Sequence, residues 1–268
     1  MSNAQVGPDN LRPIFMNWAE GSGHIESLVH LTHEGYTSLC RDKEVLRLLK
    51  VEDFRQHRAD KIAAMAKTEI DAGYPIVHSS MLMVLWSLLE TFIEDLVVAS
   101  IVANPASVGA DAFRRVRVPA ATLLESPDDA AKTLLSEWRR ELKSPLEQGV
   151  TRFEPLLELA GLSGPVPARV RKAIFDAQQV RNVWAHRAGN ADQRFIDKCP
   201  GFGLAVGDRV ALAMDEFGRL MHGMHMYVTL IHCRYQARRG VTPELAHCEG
   251  FDGVLEGLDF TIGAAQSP

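Results

Sequence analysis

The run PIVHSSMLMVLWSLLETFIEDLVVASIVAN, at residues 75–104, constrains this chain more than any other stretch. Its apolar side chains recur on almost every side of a helical wheel, which predicts a central helix packed against several others. Pro75 suits a first helical turn, and Pro105 forbids the helix from continuing. Glu90, Glu94 and Asp95 lie in its middle and later half. Carboxylates there would be costly in lipid, so the segment reads as a buried helix and not as a membrane span.

Around this helix the same spacing argument predicts an all-α helical bundle. A short helix is expected over residues 11–18, ended by Gly21-Ser22-Gly23, followed by helices over 24–50, with a break near Gly35, and over 51–72. Residues 105–127, with the basic knot Arg114, Arg115 and Arg117, read as irregular. Further helices are expected at 128–142, 146–162, 168–188 and 214–239, with Gly189-Asn190 as a left-handed stop and a loop at 161–167. The stretch FGLAVGDRVALA, residues 202–213, has two short apolar runs flanking Gly207-Asp208 and predicts a small β-hairpin insertion. Residues 1–10 and those from Gly240 onward read as an arm and an irregular tail. The expected organisation is an N-terminal arm and helices of unassigned role (1–74), a helical core (75–239) and the tail (240–268).

Composition narrows function mainly by exclusion. The formal charge is −5 with a pI near 6.1, the wrong sign for a protein that coats nucleic acid nonspecifically, so any phosphate recognition has to be local. Cys40, Cys199, Cys233 and Cys248 are irregularly spaced without a CxxC, which reads as reduced thiols. The polar start MSNAQVGPDN has neither a basic nor an apolar leader region, so the cytoplasm is the expected compartment.

One constellation carries chemistry: Arg181-Asn182-Val183-Trp184-Ala185-His186. On a helix Asn182 and His186 share one stripe, whereas Arg181 stands roughly 140° from His186. The arginine and histidine therefore flank a groove, or converge with their copies across a two-fold axis. Arg181 offers a permanently charged fork for phosphate oxygens, and His186 offers an imidazole for proton transfer. Asn182 is suited to orienting the imidazole or to hydrogen-bonding a phosphate. RNA supplies its own nucleophile, the 2′-OH, so such a cationic pair is sufficient without a cofactor or a metal.

The R-N-x-x-x-H pattern near a helix end, preceded by a long apolar helix carrying Glu90, resembles the HEPN superfamily. The closer likeness is to its RiboL-PSP and bacterial toxin or defence ribonuclease types. The resemblance spans roughly residues 75–239. It implies a helical core that forms a homodimer with a composite cleft, and metal-independent endoribonuclease activity in toxin–antitoxin or antiviral systems. It further implies an antitoxin or regulatory protein as a partner besides RNA. By match to the motif Arg181, Asn182 and His186 carry over, and an acidic residue near the arginine is implied, for which Glu90 is the first candidate and Glu94 the rival. The alternative is a catalytically inactive HEPN-like module that binds RNA or a protein.

Other clusters compete. Arg169, Arg171 and Lys172 share a predicted helix with the motif and are candidates for guiding RNA. His222, His225 and His232, with Cys233 beside them, fall in one stripe of LMHGMHMYVTLIHCRY. No acidic ligand is in register, so packing or a dimer face is the expected role rather than a zinc or copper site. His30 and His33 read as a solvated helix face, and Trp184 as core packing.

Overall fold

The computed structural model describes residues 11–50, 53–104, 110–141 and 148–241. The arm at 1–10 and most of the tail, with His247 and Cys248, lie outside these residues. So do parts of the irregular 105–127 segment and the junctions near 51 and 146.

The described residues form an all-α bundle. Its helices are α1 (Arg12–Leu48), α2 (Asp53–Asp71), α3 (Pro75–Ala103), α4 (Ala110–Phe113), α5 (Pro127–Glu141), α6 (Glu154–Leu159), α7 (Ala168–Arg187), α8 (Gln193–Lys198) and α9 (Met214–Arg238). Among these residues no helix is long and apolar enough to cross a membrane. The chain divides into two compact units. One gathers residues up to 18, 89–175 and from 223 onward; the other gathers 19–88 and 176–222.

In the first unit the core is built on Leu89, Phe92, Ile93, Leu96 and Val97 of α3, with Leu135 of α5, Leu157 of α6, Ile174 of α7 and Leu230 of α9. Full burial of such a side chain contributes about 1.5–3 kcal/mol. Glu154 lies at a polar knot within this core. It accepts from Tyr227 Oη at 2.8 Å, from Arg234 Nη1 at 3.2 Å and from the Gly164 backbone at 2.9 Å. Burial, and then the neighbouring Glu154 carboxylate, hold the Tyr227 hydroxyl well above its ordinary titration range, so it donates as a neutral phenol. Arg234 also donates to the Leu162 and Pro165 carbonyls, which pins the loop before α7.

The second unit has its own core, with Leu82, Leu85 and Trp86 of α3, Ala177 and Val180 of α7, Val210 and Leu212, and Phe217 and Leu220 of α9. α2 folds back along the later part of α1, where Asp60 meets Lys43 at 3.8 Å and Arg47 at 3.3 Å. Gly73 and Tyr74, both at positive φ, reverse the chain into α3. α3 matches its expected bounds closely and exposes a strip through Val84, Ser87 and Thr91.

Three sequence expectations need correction. The glycines at 21, 23 and 35 do not interrupt α1, which runs unbroken for about 55 Å. Gly21 serves packing instead. A Cβ there would stand 2.9 Å from Leu88 Cδ2, so the missing side chain lets α3 approach. The predicted helix at 146–162 is, in its described part, a 3-10 turn at Gly149–Arg152 followed by the short α6. Gly149 holds a φ of 63° with the Phe175 backbone against it, a conformation that a helix interior cannot accommodate.

The hairpin at 202–213 is absent as well. Its turn does form, with Gly207 at φ 92° and Asp208 Oδ2 accepting from the Ala205 backbone at 2.8 Å. The chain around that turn pairs with residues 189–191 instead of closing on itself, through Ala191 N to Asp208 O, Gly207 N to Ala191 O and Val210 N to Gly189 O, each 2.8 Å. One isolated antiparallel bridge, Asn190 with Arg209, is all the β-structure among the described residues.

Candidate active site at the end of α7

α7 presents one face to the interior and one to solvent. Ala177, Val180 and Val183 are buried, while Arg181, Asn182 and Trp184 are half-buried, and Ala185, His186 and Arg187 are exposed. The helix stops because Ala188 and Gly189 both take left-handed conformations, φ 51° and 84°. Glycine is required at 189 twice over: for its φ, and because a Cβ would meet the Trp184 ring at 3.0 Å.

This end of the helix is held from several directions. Asp176, almost wholly buried, accepts from Arg219 Nη2 of α9 at 2.8 Å. Cys199 Sγ lies 3.6 Å from the other carboxylate oxygen of Asp176. Hydrogen bonding to Glu216 foremost, and to Asp176 as well, pushes the Arg219 guanidinium up from its already high range. Arg187 pairs with Asp192 at 3.6 Å, and Asp192 caps α8 by accepting from the Phe195 backbone at 2.9 Å. The Trp184 indole donates to the Val210 carbonyl at 2.9 Å, and the Arg209 guanidinium lies over the same ring at 5.0 Å.

The motif residues lie on the last turns of α7. Arg181 Nη1 donates to Asn182 Oδ1 at 3.2 Å. Asn182 therefore holds the arginine; its side chain makes no hydrogen bond to His186 among the described residues. The His186 ring is exposed and has no hydrogen-bond partner among those residues, so both nitrogens are open to a ligand.

The remaining candidates are placed as follows. Glu90, in the first unit, pairs with Arg152 at 2.6 Å, and Glu94 pairs with Arg139 at 2.8 Å on the surface. Arg169, Arg171 and Lys172 are exposed on the first turns of α7. His225 lies against Trp18, with ring centroids 5.6 Å apart, and His232 against Phe15 at 4.6 Å. Among the described residues no group of three His, Cys, Asp or Glu side chains is placed to hold a metal ion.

Two features escaped sequence reasoning. Trp184 is half-exposed and clamped at the site rather than in the core, and the cation clamping it is Arg209. A strand assignment for residue 209 hid that role, since the pairing of 207–210 with 189–191 is what brings it beside α7. The second is a histidine pair. His33 Nε2 and His78 Nε2 are 3.1 Å apart, His78 Nδ1 is 2.9 Å from the Leu212 carbonyl, and His33 stacks on Tyr74. The two histidines are far apart in the chain, and no local pattern announces their contact. Compared with known protein families, curated proteins and solved structures, the chain matches none.

Proposed function

We propose that this chain is a metal-independent endoribonuclease whose site lies at the C-terminal end of α7. The observation that carries the reading is the exposed His186 ring, without a hydrogen-bond partner among the described residues, five residues beyond an arginine that donates to Asn182. A proton-transfer group and a phosphate-binding fork at one helix end match what RNA cleavage requires.

In this reading the 2′-OH attacks the adjacent phosphorus as His186 accepts its proton. The P–O5′ bond then breaks to leave a 2′,3′-cyclic phosphate, and the departing oxygen takes a proton. A second copy of His186 in a homodimer supplies that acid, which places the site at a two-fold axis. Arg181 neutralises charge building on the non-bridging oxygens, and Asn182 fixes Arg181. Glu90, which pairs with Arg152, is the acidic residue read as positioning Arg181, while the chemistry itself rests on Arg181, Asn182 and His186. A cytoplasmic toxin or antiviral defence role, with an antitoxin or regulatory protein as partner, is the biological setting that fits such an activity.

The test is cleavage of single-stranded RNA in EDTA by the wild type, His186→Ala and Arg181→Ala. The reading expects wild-type cleavage to persist in chelator and to fall by about 10²–10⁴-fold in His186→Ala. Cleavage that survives both substitutions, or that stops only on chelation, overturns it.

A further inference from the structure

The loop that replaces the expected hairpin carries a cation that the proposed chemistry has not used. Arg209 is exposed, and among the described residues its guanidinium has no acidic partner. Its basic neighbours differ: Arg187 is paired with Asp192, and Arg219 with Asp176 and Glu216. The adjacent acid, Asp208, is turned back to cap the Ala205 N–H. The Arg209 side chain contact is the face of Trp184, 5.0 Å from its ring centroid.

That contact is built from both sides. The Trp184 ring rests on Gly189, where only the absence of a Cβ admits it, and its N–H is bound to the Val210 carbonyl. The backbone around Arg209 is tied to residues 189–191 by three hydrogen bonds of 2.8 Å. A guanidinium held over a ring rather than against a carboxylate keeps N–H groups open, and such groups grip phosphate oxygens. Because the stack already fixes the side chain, little of its rotamer freedom remains to be lost on binding. Trp184 stands three residues beyond Arg181 on α7, so their Cβ atoms are about 5–6 Å apart on one helix surface.

We infer that Arg209, seated on Trp184, is a second phosphate contact that holds the single-stranded RNA backbone next to the phosphate bound by Arg181. The inference rests on the ribonuclease reading and deepens it. Arg181 acts at the scissile phosphate, and Arg209 grips a flanking one and sets the strand's direction across the helix tip. The substrate class is therefore a strand with at least two consecutive phosphodiesters, not a lone nucleotide.

The experiment measures the affinity of a fluorescein-labelled single-stranded RNA by anisotropy across a salt series. Binding is read on a His186→Ala background to prevent cleavage, with and without Arg209→Ala or Arg209→Glu. The expected result is a loss of about 3–10-fold for Arg209→Ala, more for Arg209→Glu, and a salt slope shallower by about 0.7. Thermal midpoints should not move. In the catalytically intact chain the Arg209→Ala loss should fall on KM rather than kcat, and a dinucleotide with one phosphate should not register it. An unchanged affinity and salt slope in Arg209→Ala, beside His186-dependent cleavage, overturns this inference and leaves the ribonuclease reading standing. A wild type that neither binds nor cleaves RNA overturns both.

Discussion

His78 and His186 occupy opposite kinds of surroundings within the same unit. The His78 ring is fully buried and stacked on Phe217, and both of its nitrogens are engaged. The Leu212 carbonyl can only accept, so His78 Nδ1 carries the proton. Its Nε2 then accepts from His33 Nε2–H. His186 sits on the last turn of α7, exposed and without a hydrogen-bond partner among the described residues. A histidine committed at both nitrogens holds helices and a loop together; one committed at neither is available to a substrate.

The two rings should therefore fail differently when removed. The largest effect expected is on cleavage, where His186→Ala should cost about 10²–10⁴ in rate and leave the melting temperature where it was. A comparable drop in stability would show that His186 is structural after all. For His78→Ala the effects reverse. The Leu212 carbonyl loses its donor and a ring-sized void opens beside Phe217, for an expected loss of about 2–4 kcal/mol in denaturant unfolding. A loss within experimental error would mean that the buried pair carries no load.

Smaller effects sharpen the contrast. Gly189→Ala should cost about 1–2 kcal/mol, because it strains the left-handed turn and pushes on Trp184. Its effect on RNA cleavage should exceed what lost folding explains, since Trp184 leaves its seat; equal losses in the two assays would separate the turn from the site. pH should report on the buried pair as well. Burial, then the facing His78 and His30, hold His33 below its ordinary value of 6.5. Burial likewise lowers His78, against the opposing pull of the Leu212 hydrogen bond and Glu69.

Groups that bind protons more weakly folded than unfolded stabilise the native state fully above the unfolded pKa. That contribution declines as pH falls from about 6.5 toward the folded values. The melting temperature should accordingly drop by a few degrees over that interval, as checked by thermal scans in matched buffers. Replacing His78 should flatten the profile. The smallest expectation concerns the exposed Arg139–Glu94 pair, where Arg139→Ala should change stability by less than about 1 kcal/mol.

What was legible in the sequence was what local spacing and punctuation encode. α3, α5, α7 and α9 lie within a few residues of their expected bounds, because apolar periodicity and the flanking Pro and Gly act within a turn or two. The Arg181–His186 string was readable for the same reason. Features decided by distant partners were not. Gly21 reads as a helix stop until Leu88 is seen to occupy the space above it. Residues 202–213 read as a hairpin because the turn is real, while the backbone that satisfies it belongs to 189–191. Glu90 pairs with Arg152, from the turn before α6, a contact that no local spacing announces.

The most direct test of the α7 site uses the substrate's own chemistry. An RNA strand and the same strand with single 2′-deoxy substitutions at its cleavage positions are incubated with the wild type, and the product ends are identified. Cleavage confined to positions bearing a 2′-OH, with 2′,3′-cyclic phosphate ends that His186→Ala abolishes, is the predicted result. Cleavage at the deoxy positions, or cyclic ends produced undiminished by His186→Ala, would contradict it.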